Sequence, residues 1–422
     1  MKINELILYR EPGHKDILEG MTALIEPEKG YMPNPYEVAG ALAEFSAAHG
    51  FKGNLWHSFL AYVLATNENA FSMACEIRGA VEGTVNALAL HDFAIFKRWF
   101  DCDLASLDDL LGIHVFSFLG KYESTGTHST VFNRRIRDNI QALSEELSKA
   151  ETESQWHLIM TEFYRRFGVG KFGLHKAFRI EHKERPVIVP IKNIEHVYLD
   201  DLVGYESQKK KLIENTEAFV EGREANNCLL FGDSGTGKSS SIKAILHKYY
   251  DQGLRMIEIY KHQFQDLSDV IGQIKNRNYK FIIYMDDLSF EEFEVDYKYL
   301  KAIIEGGLEV KPGNVLIYAT SNRRHLIREN FSDKEEVRED MHRSDTVQEK
   351  LSLSSRFGVT IYFGRPEPKE FKQIVVTLAK RAGIDMEEEE LLLLANKWEL
   401  SHGGISGRTA VQFITYLKGT RK

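Results

Sequence analysis

Cysteine is scarce in this sequence, with only three residues among 422. Cys75, Cys102 and Cys228 are far apart and form no C-x-x-C pair. This pattern excludes a disulfide framework and a zinc site built from paired cysteines. We therefore expect reduced thiols that are buried as small apolar side chains.

Long apolar runs are missing as well. The N-terminus lacks an apolar core of signal-peptide length, and no run of about 18 apolar residues occurs anywhere. The sequence therefore predicts neither a transmembrane helix nor a membrane partner. A cytoplasmic location follows by elimination.

The sequence also lacks an excess of basic residues. Its formal net charge is −8, and neither half of the chain is net positive. A broad electrostatic footprint for nucleic acid is therefore absent, although a local basic groove stays open. With 43% hydrophobic and 27% charged residues, the composition is that of a folded globular protein. At about 150 residues per domain, the length predicts roughly three domains.

The first region, residues 1–195, has the spacing of helices and predicts a mostly α-helical N-terminal domain. One stretch places several large apolar residues on a single helical face, namely Trp56, Phe59, Leu60, Val63 and Leu64. Near the end of the region, Pro186 and Pro190 enclose a short β-branched stretch. We interpret this stretch as an extended connector.

After this connector the pattern changes to short apolar runs that alternate with helical runs. The apolar runs read CLLF, RMIEIY, FIIYM, VLIYATS and VTIYF. Alternation of this kind predicts an α/β domain whose parallel sheet is covered by helices on both faces. We assign this domain to residues 196–365. Residues 366–422 hold three helical runs and predict a small C-terminal helical domain.

The strongest motif is GDSGTGKSS, from Gly232 to Ser240, which fits G-x-x-x-x-G-K-[ST]. Its glycines let backbone N–H groups face an anion, and the following helix adds the positive end of its dipole. Lys238 is expected to reach the β and γ phosphates of a nucleotide, and the Ser239 hydroxyl to bind Mg²⁺. The predicted nucleotide contacts are Asp233, Ser234, Gly235, Thr236, Gly237, Lys238, Ser239 and Ser240.

A second motif is the acidic pair Asp286 and Asp287, which follows the apolar run FIIYM. The carboxyl ends of parallel strands face the ligand crevice of an α/β sheet. Asp286 is expected to hold Mg²⁺, and Asp287 to orient or deprotonate the attacking water. The pair could instead cap the next helix, but the complete phosphate loop favours the functional interpretation.

With these motifs in place, the chain resembles the AAA+ ATPases from Leu202 to Gly407. Within them it looks like a widespread bacterial family of predicted ATPases known only as a domain of unknown function. The resemblance implies a parallel-sheet P-loop ATPase domain with a helical lid at residues 366–422. It also implies ATP and Mg²⁺ as cofactors, hydrolysis of ATP, and a ring or helical homo-oligomer such as a hexamer.

The resemblance implies further site residues in the expected order. Val203 and Gly204 would contact adenine, and Asn322 would position the attacking water as sensor 1. Arg408 would contact the γ-phosphate as sensor 2. Taken alone, Asn322 could simply end a strand.

An arginine finger for a neighbouring subunit is implied at Arg356. Arg356 could instead be a surface arginine, and Arg343 and Arg365 are rivals for the same role. The charged segment at residues 323–355, which surrounds Arg343, is either a solvated helix or a loop that reports the nucleotide state to a partner.

Two departures from the family pattern bear on function. The acidic pair is Asp-Asp rather than Asp-Glu, so Asp287 is one methylene shorter, and Glu291 or Glu292 could contribute in its place. The segment after RMIEIY also lacks a clear aromatic–apolar–glycine pore loop. We expect Tyr260, which ends this run, and Phe264 in the segment after it to be core residues.

These features predict an ATPase that couples ATP hydrolysis to remodelling of an unknown protein client, which the N-terminal domain would engage. A nucleotide-gated switch with weak hydrolysis is the first alternative, and the Asp-Asp pair favours it. A nucleic-acid-remodelling ATPase is the second alternative, and the net negative charge argues against it.

Overall fold

The computed structural model describes residues 3–27, 32–80, 82–123, 133–182, 184–191, 194–290, 296–305, 312–324, 326 and 353–420. The chain divides into two compact units, Met1–His175 and Lys176–Lys422. Among the described residues, no helix is both long enough and apolar enough to cross a membrane.

The first unit is helical, as predicted. Its described part contains α1 (Lys15–Ile25), α2 (Pro35–His49), α3 (Leu55–Thr66), α4 (Ala70–Arg78), α5 (Thr84–Phe100), α6 (Leu104–Leu111), α7 (Phe116–Gly120), α8 (Arg134–Lys149), α9 (Glu153–Phe167) and α10 (Gly170–Leu174). Three buried tryptophans, Trp56, Trp99 and Trp156, are among the largest side chains of its core. The indole N–H of Trp56 donates to the Trp99 carbonyl at 2.8 Å, so this buried polar group keeps a hydrogen-bond partner.

Helix α3 is buried on nearly all sides. It carries the predicted apolar face around Trp56, but Ser58, Ala61 and Ala65 on other faces are buried too. The side chain of Asn54 begins the helix by accepting a hydrogen bond from the His57 N–H at 3.1 Å. A helix that is apolar all round lies inside a domain, so α3 is the centre of this unit and not a surface helix.

A buried carboxylate holds the N-terminal segment of the first unit. Asp92 on α5 is fully buried and accepts backbone hydrogen bonds from Ile7 at 2.9 Å, Leu8 at 2.8 Å and Tyr9 at 3.1 Å. An isolated buried charge would be costly, but three amide donors compensate for the lost hydration. Asp92 therefore fixes this segment against α5.

The second unit is built on a seven-stranded sheet in the order β2-β1-β4-β5-β6-β3-β7. The strands are β1 (Ala177–His182), β2 (Pro186–Pro190), β3 (Cys228–Gly232), β4 (Leu254–Glu258), β5 (Lys280–Met285), β6 (Val315–Ser321) and β7 (Val359–Phe363). All pairings are parallel except that of β1 with β2. The five predicted strands are all present, as β3 to β7.

The described helices of this unit fall into two groups. Four accompany the sheet, namely α11 (Glu206–Val220), α12 (Lys238–Tyr249), α13 (Leu267–Ile274) and α14 (Asp296–Glu305). Three follow it, namely α15 (Pro368–Arg381), α16 (Glu388–Ser401) and α17 (Gly407–Thr420). The last three share an apolar core of their own around Phe371, Val375 and Phe413. They form the helical C-terminal part that the sequence predicts.

The prediction of a connector between Pro186 and Pro190 is wrong. These residues form β2, in which Ile188 lies opposite Ile180 of β1. Strand β1 in turn pairs with β4, so the second unit begins at Lys176 and not after residue 195. Proline is tolerated here because the two residues stand at the ends of an edge strand, where a missing N–H breaks no inner ladder.

Two expectations about burial hold only in part. Phe264 is buried, but Tyr260 is 49% exposed, because the chain leaves the sheet directly after β4. Cys75 and Cys228 are buried free thiols, whereas Cys102 is half-buried. Tyr260 is therefore a surface residue and not part of the core.

We predict that Asp92→Ala destabilises the first unit by at least about 2 kcal/mol, because each buried N–H left without a partner costs about 1–3 kcal/mol. Urea unfolding and hydrogen exchange of the amides at residues 7–9 measure the effect. Asp101→Ala is a matched control, since Asp101 makes only an exposed ion pair with Lys97, worth less than about 1 kcal/mol. Equal stability of the two variants would contradict this role for Asp92.

Candidate functional site

The carboxyl ends of β3, β5 and β6 open into a cleft of about 600 Å³. Strand β3 runs into the phosphate loop, β5 into Asp286 and Asp287, and β6 into Asn322. Because β6 pairs in parallel with both β3 and β5, these three strand ends meet at one edge of the sheet. The sequence motifs are therefore brought together by strand pairing.

Two glycines of the phosphate loop are required by close packing. Gly232 has φ 132°, and a Cβ atom there would overlap the carbonyl of Phe363 at the end of β7. Gly235 has φ 75°, and its Cβ would lie 3.0 Å from the Cβ of Arg408. Only glycine fits both positions without strain, so the loop can approach β7 and α17 closely.

The Lys238 ammonium is buried at the floor of the loop. Its Nζ donates to the carbonyl oxygens of Gly232 at 3.0 Å and Asp233 at 2.6 Å, and to Oδ1 of Asn322 at 3.1 Å. Burial lowers the pKa of Lys238, although the nearby charges of Asp233 and Asp287 oppose that shift. The Lys238 ammonium is thus held between the loop and the end of β6.

Asp286 receives two hydroxyl hydrogen bonds on one oxygen. Ser239 donates to its Oδ1 at 2.7 Å, and Thr320 donates to the same atom at 2.6 Å. Burial alone raises the pKa of Asp286, but the hydrogen bonds from Thr320 and Ser239 outweigh it and lower the pKa below its ordinary value. The carboxylate is therefore ionised at neutral pH.

The oxygens of Ser239 and Asp286 fit a magnesium ion. Mg²⁺ binds oxygen ligands in an octahedron at about 2.1 Å, so adjacent ligand atoms lie about 3 Å apart. The Ser239 Oγ and Asp286 Oδ1 atoms are 2.7 Å apart. Their chemistry and spacing suit two neighbouring positions of such a shell.

Asp287 has a left-handed backbone, with φ 49°. Non-glycine residues rarely adopt this conformation, and it is often retained at functional sites. The turn brings the Asp287 carboxylate to Asn322, whose Nδ2 donates to Oδ1 at 2.8 Å. Because Asn322 also accepts from Lys238, one amide links the ammonium to the second carboxylate.

Part of the cleft lining is apolar. Leu202 and Val203 line it before α11, and Ile374 and Leu378 line it from α15, together with Val411 of α17. Such a wall suits the flat face of an aromatic or heterocyclic group. Sequence reasoning missed the three helical residues, because an i, i+4 apolar pair on a helix looks the same whether it lines a cleft or fills a core.

Most of the predicted site residues line this one cleft. They are Val203, Ser234, Gly235, Thr236, Gly237, Lys238, Ser239, Ser240, Asp286, Asp287, Asn322 and Arg408. Gly204 and Asp233 flank the cleft without lining it. The exposed Arg408 stands where α17 meets the loop, and its backbone N–H donates to Gly235 at 3.1 Å.

The candidate finger arginines lie elsewhere. Arg356 is half-buried before β7 and does not line the cleft of its own chain. Arg365 pairs with Asp233, with its backbone N–H 3.0 Å from Oδ2 and its Nε 3.6 Å from Oδ1. Arg343, Glu291, Glu292 and most of the charged segment lie outside the described residues.

Comparison with solved structures matches RuvB of Thermotoga maritima, described as a Holliday junction branch migration motor. The identity is 17%, the match covers 53% of this chain and 65% of that one, and the TM-score is 0.38. Two substituted forms of the same protein match at 16% identity with TM-scores of 0.38 and 0.36, covering 53% of this chain and 65% and 64% of theirs. The chain thus spans less than two thirds of the RuvB chains.

No curated protein matches the sequence. A family model described as "Protein of unknown function (DUF815)" matches residues 173–421, which is more than half of the chain. This range contains the whole sheet, the phosphate loop, the acidic pair and the three C-terminal helices. The chain therefore belongs to the DUF815 family, and its second unit has an α/β fold built on a mostly parallel seven-stranded sheet.

Proposed function

We propose that this protein binds ATP with Mg²⁺ in the cleft and hydrolyses the bond between the β and γ phosphates. One observation carries the proposal. Around the phosphate loop, the side chains from three adjacent strand ends form two hydrogen-bonded groups, in which an ammonium is joined through an amide to one carboxylate and a hydroxyl is joined to the other. The residues are Lys238, Asn322 and Asp287 in the first group and Ser239 and Asp286 in the second. These are the groups that phosphoryl transfer to water uses.

Each group has a distinct task in this proposal. The Lys238 ammonium would exchange the loop carbonyls for phosphate oxygens, and Ser239 and Asp286 would hold Mg²⁺. When bound, the metal neutralises charge on the β and γ phosphates. Asp287 would accept a proton from the attacking water, while Asn322 orients that water and the carboxylate beside it.

Adenine would occupy the apolar part of the cleft, between Val203 on one side and Ile374, Leu378 and Val411 on the other. Three of these residues belong to the C-terminal helices. Bound nucleotide would therefore connect the lid at residues 366–422 to the sheet, and loss of the γ-phosphate would change that connection through Arg408. We propose that the resulting movement of the lid against the sheet remodels a protein client engaged by the N-terminal helical domain.

We further propose that the protein works as a homo-oligomer in the cytoplasm. In this arrangement Arg356 of one subunit completes the cleft of the next. The absence of Arg356 from its own cleft supports that geometry.

A second candidate is a nucleotide-gated switch that hydrolyses slowly. The pairing of the short Asp287 side chain with Asn322 favours it, because a carboxylate engaged by an amide is less available to a water molecule. Steady-state turnover by the purified protein separates the two functions. Nucleic-acid remodelling is a third candidate, opposed by the net charge of −8 and tested by salt-dependent DNA binding.

We predict that Lys238→Ala weakens ATP binding by at least about 10²-fold, because the charge on the phosphates loses its partner. Calorimetric titration with ATP measures the change. Lys248→Ala, an exposed lysine on the same helix, is the control and should bind like the wild type. A folded Lys238→Ala protein with wild-type affinity would show that the loop does not bind nucleotide.

We predict that Asp287→Asn keeps ATP affinity and lowers turnover by about 10²-fold or more, because an amide cannot accept the proton. The variant retains an oxygen for the Asn322 hydrogen bond, so the geometry is preserved. Phosphate release under saturating ATP is the measurement, with the exposed Asp269→Asn as control. Full turnover by the Asp287→Asn variant would indicate that Glu291 or Glu292 acts as the base instead.

We predict that Arg356→Ala and Asp287→Asn are each nearly inactive and that mixing them restores turnover. In a random equal mixture of head-to-tail assemblies, about a quarter of interfaces combine an intact cleft with an intact finger. Turnover of the mixture is compared with that of each variant after subunit exchange. With exchange verified, an inactive mixture would point to Arg343 or Arg365, or to a finger that acts in its own chain.

A further inference from the structure

A threonine outside every sequence motif lies beneath the acidic pair. Thr320 is on β6, two residues before Asn322, and is 2% exposed. Thr320 lines the same cleft as Asn322 and the acidic pair. Nothing in the run VLIYATS distinguishes it from the other strand residues.

Thr320 contacts three consecutive residues after β5. Its hydroxyl donates to Asp286 Oδ1 at 2.6 Å and accepts from the Asp287 backbone N–H at 2.9 Å. Its carbonyl accepts from the Leu288 N–H at 2.7 Å. A hydroxyl has one proton to donate and lone pairs to accept with, so both of its hydrogen bonds can form at once.

We propose that Thr320 is a positioning residue that sets both carboxylates of the Asp-Asp pair. Its hydroxyl orients Asp286 toward Ser239, and its two backbone contacts hold the left-handed turn at Asp287. The inference rests on the proposed function, because it assigns the turn a purpose in hydrolysis. The turn directs the short Asp287 side chain toward Asn322, and Thr320 holds the turn in this conformation.

The chemistry of threonine separates this role from simple packing. Valine has nearly the same volume and the same branching at Cβ, so it fills the space beneath the turn. It lacks the hydroxyl that joins Asp286 to the Asp287 N–H. A residue needed only for packing would tolerate valine, whereas a residue needed for positioning would tolerate serine better.

The test compares Thr320→Val and Thr320→Ser with the wild type. We expect Thr320→Val to lower kcat by about 10- to 10²-fold, because small displacements of catalytic groups have effects of that size. Affinity for metal-free ATP should stay within about twofold, since the contacts of Lys238 are unchanged. The Mg²⁺ concentration for half-maximal turnover should rise, and Thr320→Ser should restore both properties to within about threefold of the wild type.

Thr22→Val is the matched control, because Thr22 is a buried threonine of the other unit whose hydroxyl bonds its own helix at Leu18. It should change neither kcat nor the Mg²⁺ requirement. Thr320→Ala serves as a second hydroxyl-free variant if Thr320→Val does not fold by circular dichroism. Wild-type kcat and Mg²⁺ requirement in a folded variant without the hydroxyl, or equal losses in the valine and serine variants, would overturn the proposal.

Failure of the proposed function is distinguishable from failure of this inference. If the wild type binds ATP but does not hydrolyse it, the hydrolytic function fails. Positioning is then measured by hydrogen–deuterium exchange of peptides spanning residues 285–290. Faster exchange in Thr320→Val but not in Thr320→Ser supports the role of the hydroxyl, and equal exchange in all three proteins refutes it.

Discussion

The parallel pairing of β6 with β3 on one side and β5 on the other is the constraint on which the site depends. Tyr318 of β6 stands opposite Cys228 of β3 and Tyr284 of β5. All three strands run in the same direction from these positions and end at the same edge of the sheet. Lys238, Asp286 and Asn322 therefore reach one another although they are distant in sequence. A change of register in either pairing would separate them.

Electrostatics explains why the site tolerates so many charges. The Lys238 ammonium is surrounded by carbonyl and amide oxygens, and the Asp286 carboxylate by hydroxyl donors. Each charged group thus has compensating dipoles before any ligand binds. An anion near the ammonium and a cation near the carboxylate would replace these dipoles with full charges. The arrangement is suited to a nucleotide and its metal for this reason.

The sequence was most informative where the functional groups are adjacent along the chain. A glycine-rich loop before a helix, and an acidic pair after an apolar run, are readable from a few adjacent residues, and β3 to β7 were predicted from their apolar runs. Strands β1 and β2 were not, because β1 joins the sheet by pairing with β4 and β2 by pairing with β1, and the local pattern of Pro186–Pro190 reveals neither pairing.

The site residues that escaped prediction share a similar cause. Ile374, Leu378 and Val411 are ordinary apolar helix residues until α15 and α17 pack beside the phosphate loop. Thr320 is an ordinary strand residue until β6 lies beside β5. Conversely, the expectation that Tyr260 is a core residue is wrong, because the chain leaves the sheet directly after β4 and exposes the ring.

The prolines of β2 also affect how copies of this protein can associate. Strand β2 forms one edge of the described sheet, and an open edge can pair with the edge of another molecule. Pro186 and Pro190 have no N–H to offer, so they interrupt such pairing at both ends of this short strand. Uncontrolled fibre growth through this edge is disfavoured. A molecule that did bind at this edge would contact it through side chains, which can be selective in a way that a backbone ladder cannot.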